Sequence, residues 1–271
     1  HKDDPGLSIN IAPHAPYSVT AEALQASMRL AEELDTTWQI HLSETEEERQ
    51  NAIKEFGCSP VEYLAKLGCL NERTIAVHCV ALSDRDIELL AESGASVVHC
   101  PVSNMRLGCG ASPVVKLLKA GINVALGTDG AASACSLSMF EQMRTAGLIA
   151  KGFSQDPTEL TVNQIIRMAT INGANALKLH CDAGSLAVGK LADLAVIDMS
   201  QLVTMPVLDV LSNVIYAVEA QCVHQVWVSG SLVANIQQEK LLRPDRGKLL
   251  TKSNIMSWQN RVCEILRDDF N

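Results

Sequence analysis

Thr74-Ile-Ala-Val-His-Cys-Val80 is a short apolar run that carries a histidine near its end, and four other stretches of the 271-residue chain share its design. Ser8 to Ala12, Trp38-Gln-Ile-His-Leu42, Ser96-Val-Val-His-Cys100 and Ile122-Asn-Val-Ala-Leu126 are equally short. Each leads into polar or glycine-containing residues and then a helical pattern. The marker residues His14, His41, His78, His99 and Asp129 fall 27, 37, 21 and 30 residues apart. Strands alternating with helices at this spacing predict βα units around a parallel sheet.

The helices between these strands carry their own start signals. Ser59-Pro60-Val-Glu62 supplies a capping residue, a proline at the first helical position and an acid three residues on, and Ser83-Asp-Arg-Asp86 repeats the polar pattern. Thr20 to Leu34 reads as an amphipathic helix with Leu24, Met28 and Leu34 on its apolar side. Two further helices are expected after Asp129, at about 137–151 and from the Thr161 cap to Leu179. From Cys181 the texture changes to short alternating segments punctuated by glycine: Gly184-Ser-Leu, Gly189 to Asp198, Val223 to Val228 and Ser231 to Ala234. These predict a small β domain. The expected organisation is a βα domain over 1–180, a β portion over 181–240 and an extension over 241–271. In that extension Ile255, Trp258, Val262 and Leu266 share one face of a closing helix from Ser253 to Arg267.

Composition narrows the class. With 47% hydrophobic and 20% charged residues the chain can bury a core and does not resemble a disordered segment. Its 22 Lys and Arg against 31 Asp and Glu leave a net charge of −9, which excludes the basic footprint of a nucleic-acid partner. No apolar run approaches the roughly 20 residues of a membrane-spanning helix, so no membrane partner is expected. No charged start with an apolar stretch behind it opens the chain, so no targeting segment is expected either. Nine cysteines, odd in number and without Cys-x-x-Cys, fit free thiols in a reducing cytoplasm.

Side chains alternate along a strand, so Gln39 and His41 share one face, as do Ala76 and His78, and Ala125, Gly127 and Asp129. Each set brings a chemically capable group to the C-terminal end of its strand, where parallel βα folds build their sites. A single strand histidine is usually a hydrogen-bonded core residue; three of them with an aspartate in register favour a site. Imidazole and carboxylate suit a catalytic divalent ion, and His41 and Asp129 fit that use. The pairs His78-Cys79, His99-Cys100 and His180-Cys181 look like soft ligands, but neighbours on a strand face opposite ways, so these cysteines read as packing thiols.

Glu44, three residues past His41, lies where strand gives way to loop and can move protons at a site mouth. It reads equally as the start of the acidic run Glu46-Glu-Glu48, whose members are expected on the surface at a helix N-terminus. His14, stiffened by Pro13 and Pro16, suits substrate contact or an exposed turn. Ser103 reads as part of an Asx-type turn, while Asn104 is left open between turn and substrate contact.

Together, Ala12-Pro-His-Ala-Pro-Tyr-Ser18, His41-Leu-Ser-Glu-Thr45, Val77-His-Cys79, His99-Cys-Pro-Val-Ser-Asn104, Gly127-Thr-Asp-Gly130 and Gly189-Lys-Leu-Ala-Asp-Leu194 resemble the amidohydrolase superfamily. They are most similar to its branch of 5′-methylthioadenosine/S-adenosylhomocysteine deaminases and triazine chlorohydrolases. The resemblance runs from about residue 8 to residue 235. It implies an α/β, TIM-type (β/α)8 barrel with a small β-sandwich, and one divalent metal, usually Zn²⁺ with Fe²⁺ as the alternative. By the same resemblance His41 and Asp129 are metal ligands, and Glu44, His78 and Asp129 are catalytic. His14, Glu44 and Asp129 are implied to contact a small-molecule nucleoside. The implied reaction is deamination of the adenine ring to an inosine analogue plus ammonia. Hydrolysis of a triazine or guanine ring is the competing reading, and a homo-oligomer is allowed.

The sequence departs from that family in one respect. It contains no His-x-His and begins at His1 instead of Met. Counting back from Asp129 as the end of strand eight makes Ser8 to Ala12 strand four. Strands four to eight are then present and one to three missing, together with two metal ligands. The alternative to a truncated active enzyme is an inactive fragment.

Overall fold

The computed structural model describes residues 7–235, with the backbone of 240–241. The histidine-bearing segments form β1 (Trp38–Leu42), β2 (Thr74–His78) and β3 (Ser96–His99), and the aspartate segment forms β4 (Asn123–Leu126). The four strands are parallel and neighbour one another in chain order. Their register pairs Leu42 with His78, Val77 with Val98 and His99 with Leu126. In β1, Trp38, Ile40 and Leu42 are buried while Gln39 and His41 are half-buried, the alternation expected of a strand with two different faces.

Ser8 to Ala12 does not extend the sheet as a strand. It makes a single parallel bridge, Ile11 to Trp38, in which the Ile11 N–H donates to the Thr37 carbonyl and the Gln39 N–H to the Ile11 carbonyl. The next residue of the same face is Pro13, which has no N–H to give, so the ladder stops there.

Helices separate the strands. α1 (Ala21–Glu33) is capped by Thr20 and buries Leu24, Met28 and Ala31; Leu34 falls just beyond it and is exposed, contrary to expectation. α2 (Glu46–Phe56) and α3 (Pro60–Lys66) join β1 to β2, and α4 (Asp84–Ser93) joins β2 to β3. Both predicted capping boxes form, at Ser59/Glu62 and Ser83/Asp86. The Ser59 hydroxyl also donates to the fully buried Asp86 carboxylate, which ties the starts of α3 and α4 together. α5 (Pro101–Arg106) and α6 (Val114–Lys119) lie between β3 and β4, and α7 (Ala131–Ala134) follows β4.

The next helix, α8 (Met139–Ser154), begins two residues later than predicted because the Ser138 hydroxyl accepts from the Glu141 N–H and so marks its start. The long helix expected up to Leu179 divides into α9 (Val162–Ala169) and α10 (Ile171–Ala176). Thr170 leaves helical geometry at φ −131°, ψ −98°, while its hydroxyl donates back to the Ile166 carbonyl, a bond that bends helices.

The chain divides after Gly184 into two compact units. The second holds an antiparallel sheet in the order β5 (Leu194–Ile197), β6 (Val223–Val228), β7 (Ser231–Asn235) and β8 (Lys240–Leu241). Ser229 and Gly230, both at positive φ, form the two-residue turn between β6 and β7, as hairpin twist demands. Gly184-Ser-Leu is turn and loop, not strand, and α11 (Val210–Tyr216), capped by the Asp209 side chain, was not expected. The closing helix predicted over Ser253 to Arg267, like most of the 241–271 extension, lies outside the described residues.

Candidate active site

At the strand ends the predicted groups are held by hydrogen bonds to residues distant in the chain. At the end of β1, His41 donates both its backbone N–H and its Nδ1–H to the His14 carbonyl, at 3.0 and 2.8 Å. Only its Nε2 is left to face the site. The His14 ring packs against His41 at 5.1 Å and sits 2.7 Å from the Ser18 hydroxyl through Nδ1. The His41 ring in turn stacks on His78 at 5.4 Å. His14 is the most exposed of the three and serves the site through its backbone carbonyl as much as through its ring.

His78 ends β2 at φ 75° and is 1% exposed. Its Nδ1 lies 2.8 Å from Asn104 Oδ1, an acceptor, so Nδ1 carries the proton. Its Nε2 points towards Glu44, 3.9 Å from Oε1. Asp129 follows β4 at φ 60°. Its Oδ2 accepts from the Ser103 hydroxyl at 2.6 Å and its Oδ1 from the Gly130 N–H at 2.7 Å. Burial disfavours the charged form of Asp129, but these hydrogen bonds and the nearby His78 prevail and hold its carboxyl below the usual value.

Ser43, His78, Cys79 and Asp129 all take left-handed backbone conformations where strands become loops. Each costs a non-glycine residue on the order of 1–3 kcal/mol and persists only where the surroundings fix it. A run of such residues at one end of a sheet is a mark of a functional site.

Three expectations are corrected. Ser103 is not in a turn: it and Asn104 are fully buried on α5, one holding Asp129 and the other His78. Pro101 starts that helix directly after β3, so two adjacent side chains reach across to two strand ends. Glu48 is not a surface residue like Glu46, which pairs with Arg49 in solvent. Its half-buried carboxylate accepts from the Ser43 and Glu44 backbone N–H groups, and burial pushes its carboxyl pKa up. His99 does not join the site. It lines a different pocket, with Val114 of α6 and Ala146 and Ile149 of α8, and is 1% exposed, and burial, aided by His78, pushes its pKa down to about 3. The core reading holds for this histidine.

Of the three cysteines read as packing thiols, Cys79 and Cys100 are, whereas Cys181 lies in an exposed turn. Cys79 and Cys100 are buried, and burial pushes the Cys100 thiol up to about 12. Cys109, which no sequence signal marked, approaches Glu44 Oε1 at 3.5 Å through Sγ, and burial raises its pKa to about 11. A cleft of about 530 Å3 opens beside Glu44, with Tyr17, Thr45, Glu48 and Asn51 among its walls. That volume suits a small organic ligand.

The donors present fit a share of a divalent metal site. A ligating histidine characteristically gives its second nitrogen to a backbone carbonyl, as His41 does, and a ligating carboxylate is itself hydrogen-bonded, as Asp129 is. Among the described residues no three His, Cys, Asp or Glu side chains form a complete metal-binding group.

Comparison with known proteins identifies the family. The sequence pattern of the Amidohydrolase family matches residues 1–233. The 5-methylthioadenosine/S-adenosylhomocysteine deaminase of Teredinibacter turnerae is 44% identical over 262 residues, 97% of this chain and 58% of that protein. The 5′-deoxyadenosine deaminase of Methanothermobacter thermautotrophicus is 42% identical over 230 residues, 85% of this chain and 53% of that protein. Among solved structures, an adenosine deaminase from Xanthomonas campestris with bound zinc is 40% identical, with a TM-score of 0.89 over 97% of this chain and 59% of that one. Atrazine chlorohydrolase from Arthrobacter aurescens, complexed with zinc, is 25% identical with a TM-score of 0.78, over 88% of this chain and 51% of that one. The chain thus spans little more than half the length of the relatives it matches. The βα unit has the α/β fold of a TIM-type barrel. With His41, His78 and Asp129 at the strand ends and the family pattern running through residue 233, the chain belongs to the amidohydrolase family.

Proposed function

We propose that the protein is a metal-dependent hydrolytic deaminase of an adenine nucleoside, converting 5′-methylthioadenosine or S-adenosylhomocysteine to the inosine analogue and ammonia. The observation that carries this reading is the Glu44 carboxylate 3.9 Å from His78 Nε2, at the strand ends that also hold His41 and Asp129. A ring amine leaves only when a proton is delivered, and Glu44 is the acid placed to deliver it. Relatives at 40 to 44% identity named as deaminases of such nucleosides support the same choice of ring.

His41 and Asp129 would hold the metal, most simply Zn²⁺. Bound there, the ion supplies a nucleophile by lowering the pKa of water. Asp129, kept ionised by Ser103 and Gly130, accepts the proton that the attacking water gives up. His78, with Nδ1 engaged by Asn104, presents Nε2 to orient the water at the ring carbon. Glu44 protonates N1 of the ring, takes a proton from the new C6 hydroxyl as the carbonyl forms and passes it to the departing nitrogen, and the water proton held by Asp129 then returns to Glu44. His14, packed against His41, contacts the nucleoside.

In this reading β1 to β4 are strands five to eight of the barrel, the Ile11 bridge marks strand four, and the sheet of β5 to β8 is part of a sandwich. A cytoplasmic location is our reading from the odd number of cysteines and the lack of Cys-x-x-Cys in the sequence. The test is the ultraviolet absorbance of methylthioadenosine with the complete, zinc-loaded protein. A shift to the inosine-type spectrum with equimolar ammonia is expected, and an unchanged spectrum refutes the proposal. Turnover of a triazine or guanine instead would assign the competing ring.

A further inference from the structure

Glu48 uses its carboxylate in a way that helix capping does not require. It is the third residue of α2, where a capping-box acid would reach back to the N–H of the cap residue Thr45. The Thr45 hydroxyl does accept from the Glu48 N–H, at 3.0 Å. The Glu48 side chain reaches further: Oε1 accepts from the Ser43 N–H at 3.0 Å and Oε2 from the Glu44 N–H at 2.6 Å. The opposite side of this turn is held too. The Ser43 carbonyl accepts from the Val80 and Ala81 N–H groups, each at 2.9 Å, on the loop that leaves His78.

The backbone of Glu44 is therefore clamped between one carboxylate and the end of β2. Ser43 is fully buried and at φ 51°, so the turn does not relax to this shape without those partners. From it the Glu44 side chain emerges with Oε1 3.9 Å from His78 Nε2.

We propose that Glu48 is a positioning residue for the reaction: by binding two successive amides it fixes the Glu44 carboxylate at the distance from His78 that proton delivery to the substrate needs. The inference rests on the deaminase reading, in which Glu44 is the acid. Two converging N–H donors need two acceptor oxygens on one side chain, which an ionised carboxylate supplies. Glutamine offers one oxygen and turns an NH2 against the second amide. Aspartate keeps the charge but is one methylene short.

The experiment compares wild-type and Glu48→Gln forms of the complete, zinc-loaded protein on two probes, a 6-aminopurine nucleoside and its 6-chloro analogue. Chloride leaves without a proton, so it depends less on a well-placed acid. Displacing a catalytic group by about 1 Å costs about 100-fold, so kcat on the amino substrate should fall about 10- to 100-fold. KM should move less than about twofold. The fall on the chloro substrate should be several-fold smaller. A urea midpoint is recorded alongside; should Glu48→Gln fail to fold, Glu48→Asp replaces it and the same amino-to-chloro ratio decides. Unchanged kcat on both probes, or an equal loss on both, overturns the inference, the second result meaning a structural role alone. Failure of the underlying reading has a different signature: wild-type protein inactive on the amino nucleoside, or Glu44→Gln without effect.

Discussion

His99 gives the protein a specific sensitivity to acid. Its imidazole is buried beside residues of α6 and α8, its Nδ1 has no hydrogen-bond partner among the described residues, and its pKa is pushed down to about 3. In the unfolded chain the same group titrates near 6.5. Below that value the unfolded state binds one proton more than the fold, so stability rises with pH and falls as acid is added. At about 1.4 kcal/mol per pH unit, the 1.5 units from 6.5 down to pH 5 remove about 2 kcal/mol through His99 alone. That is a sizeable part of a typical domain's 5–15 kcal/mol. Urea denaturation of wild type and His99→Gln at about pH 7.5 and about pH 5 isolates the effect, because any packing cost of the substitution cancels between the two pH values. Wild type should lose about 2 kcal/mol more than the variant across that interval. Equal losses would refute the reasoning and mean that His99 is solvated or paired in the folded protein.

Asn104→Ala leaves the buried Nδ1–H of His78 without an acceptor and should cost about 1–3 kcal/mol, measurable by denaturation, with a shift in the imidazole nitrogen resonances that reports loss of the fixed tautomer. Ser103→Ala removes the hydroxyl that holds Asp129 and should weaken zinc retention about 10- to 100-fold in a chelator competition. Gly127→Ala drives a methyl to 2.7 Å from Val98 Cγ1 and 3.2 Å from Cys100 Sγ, and should destabilise by about 1–3 kcal/mol in the same urea assay. Among the described thiols, Cys135 and Cys181 should be labelled quickly by an alkylating reagent, and Cys79 and Cys100 only on unfolding, as peptide mass spectra would show.

Residues that interact within a few positions were legible in the sequence. The strands carrying His41, His78 and Asp129, the capping boxes at Ser59 and Ser83 and the packing role of the strand cysteines follow from periodicity and short-range hydrogen bonding. Ser8 to Ala12, read as a strand, forms only a single bridge, because Pro13 cannot donate the next ladder bond and the sequence reading did not weigh it.

What depends on a partner far along the chain was decided by the tertiary structure. Glu46, Glu47 and Glu48 are identical in composition and adjacent in position, yet only the third turns its carboxylate back onto the Ser43 and Glu44 amides. Ser103 and Asn104 look like a turn until α5 is laid across the strand ends, where residues 26 positions away on either side, Asp129 and His78, become their partners. His41, His78 and His99 present the same local pattern, and the sequence by itself determined that all three end strands. Which of them face the site was settled by the sheet register and by the left-handed turn at His78, because a side chain's face depends on backbone geometry that its neighbours in space enforce.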